Sequence, residues 1–143
     1  MTRFDRVGEH GRRGVVTLAS IEPALLGSGA TRWERSAEAL HAQGRLGTDD
    51  VERIVRLSLF GRLIGNSDMH WGNIAFHAAG GTLFLAPAYD MLPMLFAPTR
   101  SGELPHRELS LPAPPPGHES AWREALQAAL QYWYDVALDD GLS

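Results

Sequence analysis

The sequence predicts an α+β domain that is mainly helical, and three stretches carry that prediction. Residues 50–64 are densely apolar and predict a buried helix, and residues 120–138 place apolar side chains at helical spacing. Between them, residues 74–77 and 82–85 are strand-like and are joined by a glycine-containing turn. A chain of 143 residues is long enough to bury a core of its own, so we expect a single domain over residues 1–143.

The N-terminal third is predicted to contain a hairpin and a helix. Residues 3–7 and 15–18 are short strand-like runs on either side of a polar, glycine-containing stretch, so they are expected to pair. Residues 33–43 carry apolar side chains at helical spacing. Gly44 follows them and is a favourable residue just past a helix end. These features predict a hairpin within residues 1–20 and a helix after it.

The helix over residues 50–64 has a predicted start and a predicted end. Asp49 with Glu52 three residues later resembles a capping box, which marks a helix N-terminus. Gly65 and Asn66 both tolerate left-handed backbone geometry and are expected to end the helix. The residues that follow are therefore placed at the end of a rigid element, where reactive side chains are often found.

The two strand-like runs after this helix predict a hairpin with a functional consequence. Residues 74–77 and 82–85 are expected to pair through a four-residue turn at 78–81. Asn73 stands just before the first strand, and Asp90 stands shortly after the second. The loop followed by the hairpin is therefore expected to bring Asp68, Asn73 and Asp90 together, although the two acids are 22 residues apart.

The C-terminal third is predicted to be a loop followed by a helix. Residues 97–118 contain too many prolines for regular structure, and residues 120–138 predict an amphipathic helix. The apolar residues expected along one side of that helix are Trp122, Ala125, Leu126, Ala129, Leu130 and Trp133. The predicted layout is a hairpin region at 1–20, a helical core at 33–96, a proline-rich loop and a C-terminal helix within 119–143.

Composition excludes several classes of function. The chain is 44% hydrophobic and 21% charged, which is typical of a globular protein. A net charge of −4 gives no electrostatic attraction to nucleic acid or anionic membrane. No cysteine is present, so disulfides, thiolate nucleophiles and cysteine-ligated metals are excluded. No apolar run reaches the ~20 residues of a membrane span, and we expect a cytoplasmic protein.

The basic residues are all arginine. The sequence has 13 of them and no lysine. Nucleotide sites of the P-loop and protein-kinase types place a lysine on the phosphates. Residues 11–14, with sequence GRRG, lack the spacing of a phosphate-binding loop and are expected to form a turn. This chain therefore has no lysine of its own for the phosphates.

The strongest chemical signal lies at residues 65–73. Asp68 stands five residues before Asn73, and a second acid, Asp90, follows downstream. Phosphoryl transfer needs a residue that accepts the proton of the attacking hydroxyl and others that hold the metal ions. Asp68 is therefore a candidate base, and Asn73 and Asp90 are candidate metal ligands. Each residue alone also fits ordinary turn or cap chemistry, so the hypothesis depends on the three together.

His70 has two interpretations that the sequence leaves open. Its ring either donates a hydrogen bond to the transferred phosphate or ties the loop together as a scaffold residue. A zinc site that uses His70, His77 and carboxylates is a weaker alternative, because the typical histidine spacing and any cysteine partner are missing. A Ser–His–Asp triad lacks the Gly-x-Ser-x-Gly turn that would support it.

Three segments resemble a known family. Residues 64–73, with sequence IGNSDMHWGN, resemble the catalytic loop of HipA-like serine/threonine kinases, the toxins of bacterial toxin–antitoxin pairs. Residues 85–92, LAPAYDML, are similar to that family's metal-binding segment, and residues 3–6, RFDR, are similar to its hinge. Lipid kinases of the phosphatidylinositol type share the Asp-x-His-x-x-Asn spacing. The resemblance covers roughly residues 3–95.

The resemblance implies roles for individual residues. Asp68 would be the catalytic base, and Asn73 and Asp90 would bind magnesium. Backbone near Phe4 would meet the adenine of ATP, and Asp5 would reach its ribose. ATP and Mg²⁺ are therefore the expected cofactors, and a serine or threonine hydroxyl of a protein substrate is the expected acceptor.

The resemblance also implies a fold and partners. The expected fold is a protein-kinase-like C-terminal lobe with a catalytic-loop hairpin, whereas in the family an N-terminal lobe precedes the hinge. The sequence begins at the hinge, so we expect a fragment or a lobe completed by a separate chain, inactive in isolation. A DNA-binding antitoxin is a further expected partner, and an exposed lobe face favours a homodimer. The alternative function is a pseudokinase-like protein-interaction module with no catalysis.

Overall fold

The computed structural model describes residues 6–7, 11–12 and 14–139. Within this part of the chain the fold is α+β, as predicted, with a three-stranded antiparallel sheet and more helix than strand. None of the described helices combines the length and apolar character of a membrane span.

The chain divides into two compact units. The first unit comprises residues 1–54 and 70–90, and the second comprises residues 55–69 and 91–143. The chain passes from one unit to the other inside a helix, again between positions 69 and 70, and again after position 90. Residues 64–73, the catalytic-loop segment named for its family resemblance, are therefore divided between the two units.

The three-stranded sheet belongs to the first unit and corrects one prediction. Strand β3 (Val15–Thr17) pairs antiparallel with β4 (Ala75–Ala79), which pairs in turn with β5 (Thr82–Leu85). The strand predicted near residue 15 therefore exists, but its predicted hairpin partner is wrong. Val16 lies opposite Phe76, which is 1% exposed, so the pairing helps to cover a core residue.

The residues before β3 form a separate, shorter ladder. Strand β1 (Arg6–Val7) pairs antiparallel with β2 (Gly11–Arg12). The first part of the run predicted at residues 3–7 lies outside the described residues. Local alternation identified strand-like residues here but could not choose their partners, because pairing depends on edges that are distant in sequence.

The turn between β4 and β5 is tighter than predicted. Ala79 pairs with Thr82, so the turn consists of Gly80 and Gly81 rather than the four residues expected at 78–81. Both glycines have positive φ, at 58° and 82°. Two-residue turns of this kind match the twist of the flanking strands, and glycine accepts positive φ without steric cost.

The first unit also contains two helical segments before the long helix. Helix α1 (Leu18–Ile21) runs into a π-helical turn at Glu22–Leu26, and neither was predicted. Helix α2 (Trp33–Ala42) confirms the predicted helix, and Gly44 has a left-handed φ of 69° just beyond it. A four-residue helix is too short for hydrophobic periodicity to reveal it.

Helix α3 (Thr48–Leu63) confirms the long apolar helix but corrects its start. The helix begins at Thr48, so Asp49 lies inside its first turn and is not the capping residue. Asp50 is used instead: one carboxylate oxygen accepts from the Leu85 amide at 2.9 Å, and the other contacts Arg53 at 3.1 Å. A tertiary hydrogen bond therefore joins the first turn of α3 to β5.

Helix α4 (Glu119–Leu138) lies in the second unit and confirms the C-terminal helix. Its buried row consists of Ala121, Ala125 and Ala129, whereas Leu130 is 62% exposed. The predicted apolar side is therefore only partly correct. Ala125 and Ala129 are buried as predicted, Ala121 is buried but was not predicted, and Leu130 is exposed. Residues 97–118 contain no helix or strand, as their prolines predicted.

Candidate functional site

The candidate site begins where α3 ends, at a glycine that no other residue could replace without strain. Gly65 has φ 78°, and a side-chain carbon added there would lie 3.0 Å from the Phe96 ring and 3.3 Å from Leu95. The Gly65 carbonyl accepts a hydrogen bond from the Leu95 amide at 2.8 Å. These contacts fix the point from which the catalytic-loop segment leaves the helix, within the second unit.

Asp68, the candidate base, is an exposed residue of the second unit. Its backbone amide donates to Oδ1 of Asn66 at 3.0 Å, and Asn66 is itself only 6% exposed. The other end of the Asn66 amide donates to the sulfur of Met91 at 3.9 Å. Asn66 therefore holds the backbone of Asp68 while the Asp68 carboxylate remains accessible.

Asn66 holds the backbone of the candidate base, a role that the sequence did not predict. It was predicted only as part of the helix end. Asparagine often bonds to backbone two residues further along the chain, and the Asn-x-Asp spacing is the signal that could have revealed this role.

His70 begins the part of the loop that belongs to the first unit, and its ring supports the backbone. Nδ1 accepts a hydrogen bond from the Gly72 amide at 2.9 Å and caps the 3₁₀ turn Trp71–Asn73. The Trp33 indole donates to the His70 carbonyl at 3.2 Å. Because Nδ1 accepts this hydrogen bond, the proton of the neutral imidazole ring is on Nε2. The scaffold interpretation is thus supported by the hydrogen bond to Nδ1, and the phosphate interpretation stays a prediction.

Gly72 is required by its closeness to that ring. A side-chain carbon there would lie 2.8 Å from Cε1 and 2.9 Å from Nδ1 of His70. The bond between His70 and the Gly72 amide could not survive such a group. Glycine at position 72 therefore fits the histidine cap, whereas a side chain there would clash with the ring.

Asn73, a candidate metal ligand, is joined to the Asp90 segment by a bond between their neighbours. The Tyr89 hydroxyl donates to the Gly72 carbonyl at 2.6 Å, one residue before Asn73 and one before Asp90. Asn73 is 9% exposed, so its position is set by its surroundings. Partial burial, together with the nearby Asp90 carboxylate, raises the pKa of Tyr89 above its ordinary value of 10.0. The hydroxyl therefore keeps its proton, and its bond, at neutral pH.

Asp90 has an unusual backbone conformation. Its φ of 52° makes it the single non-glycine residue with positive φ in the described part of the chain. Aspartate tolerates this left-handed region better than most residues, although it still carries a cost. Such conformations persist only where surrounding structure imposes them, and they cluster at functional sites. The Asp90 side chain is exposed.

The structure assigns the predicted site residues to different parts of the molecule. His70, Asn73 and Asp90 lie in the first unit, and Asp68 lies in the second. The hairpin β4–β5 connects Asn73 to the Asp90 segment, as expected. Phe4 and Asp5, the predicted nucleotide-binding residues, lie outside the described residues.

The side-chain oxygens of Asn73 and Asp90 suit Mg²⁺ better than zinc. Asn73 and Asp90 offer amide and carboxylate oxygens, which are the ligands that Mg²⁺ prefers, and Mg²⁺ commonly keeps water or phosphate in its remaining positions. A zinc site would need a cluster of softer ligands. Among residues 14–139, no group of three His, Asp or Glu side chains is arranged to hold a metal ion.

Comparison with known proteins agrees with the sequence motifs. The HipA-like C-terminal domain family matches residues 1–133 of the chain. A protein of Escherichia coli (strain K12) named Toxin YjjJ is 35% identical over 141 residues, which cover 99% of this chain. The matched region is 32% of that protein, so the chain spans about a third of the length of this relative.

Proposed function

Because the chain belongs to the HipA-like C-terminal domain family, we propose that it supplies the base and the metal ligands of an ATP- and Mg²⁺-dependent serine/threonine kinase. HipA-like toxins are broadly kinases, so membership of this family supports descent from a kinase. The proposal gives this chain the part of a protein-kinase-like catalytic lobe that acts on a protein substrate.

The observation that carries the proposal is the bond between Tyr89 and Gly72. It ties the buried Asn73 to the segment in which Asp90 adopts a left-handed backbone. A purely structural turn would not need an aspartate in that conformation, because glycine adopts it at lower cost. An acid in this conformation beside an anchored asparagine supports a role in binding a cation.

Each side chain has a specific task in the proposed reaction. Asp68 accepts the proton of the substrate hydroxyl, and its exposed carboxylate is accessible for this step. Asn73 and Asp90 would hold Mg²⁺, which neutralises phosphate charge when bound. His70 orients the loop through Nδ1 and can donate from Nε2 to a phosphate oxygen. Phe4 and Asp5 would contact adenine and ribose.

The remaining parts of the proposed enzyme come from outside this chain. With no lysine in its sequence, the chain leaves the phosphate-binding ammonium to another lobe. A relative three times longer is named a toxin, and we extend that role to this chain as part of the proposal. A protein substrate, a DNA-binding antitoxin and the cytoplasm are the proposed partners and location. A homodimer through an exposed lobe face belongs to the same proposal.

Calorimetric titration of the full chain with ATP, with and without Mg²⁺, tests the proposal. We expect Mg²⁺-dependent binding that is at least ~10-fold weaker in Asp90→Asn and unchanged in Asp68→Asn, because only Asp90 is assigned to the metal. Asparagine also tolerates left-handed backbone, so the fold of Asp90→Asn is expected to be preserved.

Two controls make the titration decisive. Thermal unfolding of both variants checks that their folds are intact. Asp68→Asn is also expected to abolish whatever phosphotransfer the chain performs with a complementing lobe. ATP binding that ignores both Mg²⁺ and Asp90→Asn would contradict the proposal and favour an interaction module with no catalysis.

A further inference from the structure

The second unit contains a cavity of about 280 Å³ that the proposed reaction leaves unassigned. Five of its nine lining residues have polar side chains and four do not. The lining residues are Arg62, Gly65, Asn66, Ser67, Leu95, Glu108, Leu109, Ser110 and Pro112. One wall is thus the start of the catalytic-loop segment, and the opposite wall is the proline-rich loop at residues 97–118 together with Leu95.

The wall contributed by the proline-rich loop is fixed by specific contacts. The Trp122 indole of α4 donates to the Pro112 carbonyl at 3.1 Å. The Leu109 side chain lies 3.4 Å from the position that a side-chain carbon on Gly65 would occupy. A segment without helix or strand is therefore held by a hydrogen bond at Pro112 and comes close to Gly65 at Leu109.

The other wall is fixed by the same helix. The Trp133 indole of α4 donates to the carbonyl of Leu63, the last residue of α3, at 3.3 Å. Its ring also packs edge-on against Phe96 at 5.7 Å between centroids. Helix α4 thus anchors both sides of the cavity through its two tryptophans.

The cavity is lined by the two residues that precede the proposed base. Asn66 and Ser67, two of its lining residues, immediately precede Asp68, and Asn66 also binds the Asp68 amide. An extended chain advances by at most ~3.6 Å per residue. A substrate residue inside the cavity would therefore stand about one to three residues from the hydroxyl that reaches Asp68.

Size and charge define the occupant. The volume is just below the ~300–1,000 Å³ of small-molecule pockets and far above the ~30 Å³ of one water, so it suits a single side chain. Arg62 and Glu108 line it with opposite charges, so the cavity has no net charge to attract a charged side chain of either sign. An uncharged side chain meets the apolar surface of Leu95, Leu109 and Pro112 there.

We propose that this cavity receives a leucine-sized, uncharged side chain of the protein substrate, one to three residues from the phosphorylated serine or threonine. This inference rests on the proposed kinase function. It also gives the proline-rich loop and α4 a role, which is to form and anchor one wall of a substrate-binding site.

Peptide binding to the full chain tests the inference without requiring catalysis. Short peptides with one central serine would differ only in a flanking residue, which is leucine, alanine, glutamate or arginine. Binding is followed by NMR shifts of the Leu95 and Leu109 methyl groups. We expect the leucine peptide to bind roughly 10-fold more tightly than the other three and to shift both methyl groups.

Two variants and a matched control sharpen the test. Leu109→Asp places a charge in the cavity and should remove the preference for leucine, whereas Leu111→Asp should not. Leu111 lies two residues away in the same loop, is 64% exposed and does not line the cavity. Ser110→Trp fills the cavity from an exposed position, so it remains informative if Leu109→Asp fails to fold.

The inference is overturned by an equal affinity for all four peptides, by unchanged binding in the cavity variants, or by no peptide binding to the parent chain. The Mg²⁺–ATP titration reports separately on the proposed function. Leucine-selective peptide binding without metal-dependent ATP binding would leave the binding site intact and reject the kinase role.

Discussion

Asp68 and Asn73 are five residues apart, yet the structure holds them by different means. Asp68 follows the end of a long helix. Its backbone is set by close packing around Gly65 and by a hydrogen bond from the Asp68 amide to the Asn66 side chain. Asn73 is the last residue of a short turn that is held by the indole of Trp33 and the hydroxyl of Tyr89. The base side depends on close packing, and the proposed metal side depends on hydrogen bonds.

The difference matches what the proposed function would require of each side. A residue that accepts a proton needs an accessible side chain on a firm backbone. A pair of metal ligands needs two separate segments held at a fixed separation, because Mg²⁺ demands nearly ideal geometry. A hydrogen bond between the neighbours of Asn73 and Asp90 provides such a constraint.

The largest expected effect comes from breaking the packing on the base side. Gly65→Ala combines left-handed backbone with a 3.0 Å contact to Phe96, so we expect the free energy of unfolding to fall by about 2–5 kcal/mol. Urea denaturation measures this change.

Gly80→Ala is the matched control for that substitution. Gly80 has φ 58° but no atom within 4 Å of the added carbon, so only the backbone cost of about 1–2 kcal/mol is expected. Equal losses of stability in the two variants would show that packing at Gly65 contributes nothing.

A smaller effect is expected from breaking the hydrogen bond on the metal side. Tyr89→Phe removes one bond with a net contribution of about 0.5–1.5 kcal/mol, so Mn²⁺, as a probe for Mg²⁺, should bind about 2–10-fold more weakly. Calorimetric titration with Mn²⁺ measures it. Tyr134→Phe, at a site 61% exposed on α4, should leave the affinity unchanged.

The same bond gives a pH dependence with a definite sign. The pKa of Tyr89 is raised in the folded protein, so the protonated hydroxyl is favoured by folding. Its stabilisation is fully present below the unfolded value of 10.0 and is lost as pH rises through the higher folded value. The stability difference between the parent chain and Tyr89→Phe should therefore stay constant from neutral pH to about 10 and shrink above it. A difference that shrinks below pH 9 would contradict the assignment.

Periodicity and glycine chemistry predicted the elements that frame the site. The dense apolar run of α3, its left-handed end at Gly65 and the β4–β5 hairpin followed from local patterns. The partner of β3 could not be predicted from local patterns, because strand pairing depends on strands that are distant in sequence. The short helix at Leu18–Ile21 could not be predicted either, because four residues are too few to show a helical period.

The site itself divides in the same way. The spacing of Asp68, Asn73 and Asp90 indicated a chemistry from sequence alone, and their roles stay predictions. The bond between Tyr89 and Gly72, the cap by His70 and the positive φ of Asp90 depend on tertiary contacts that no local pattern encodes. The sequence therefore identified the candidate residues, whereas the structure shows the contacts that hold them in place.

Mn²⁺-induced broadening of NMR signals in the isotope-labelled full chain tests the central claim most directly. Mn²⁺ prefers the same oxygen ligands as Mg²⁺ and broadens signals of nearby nuclei. We predict that the Asn73 side-chain amide and the backbone amides of Tyr89 and Asp90 broaden first, and that this selectivity disappears in Asp90→Asn. Broadening that begins elsewhere, or that is the same in Asp90→Asn, would contradict a metal site at Asn73 and Asp90.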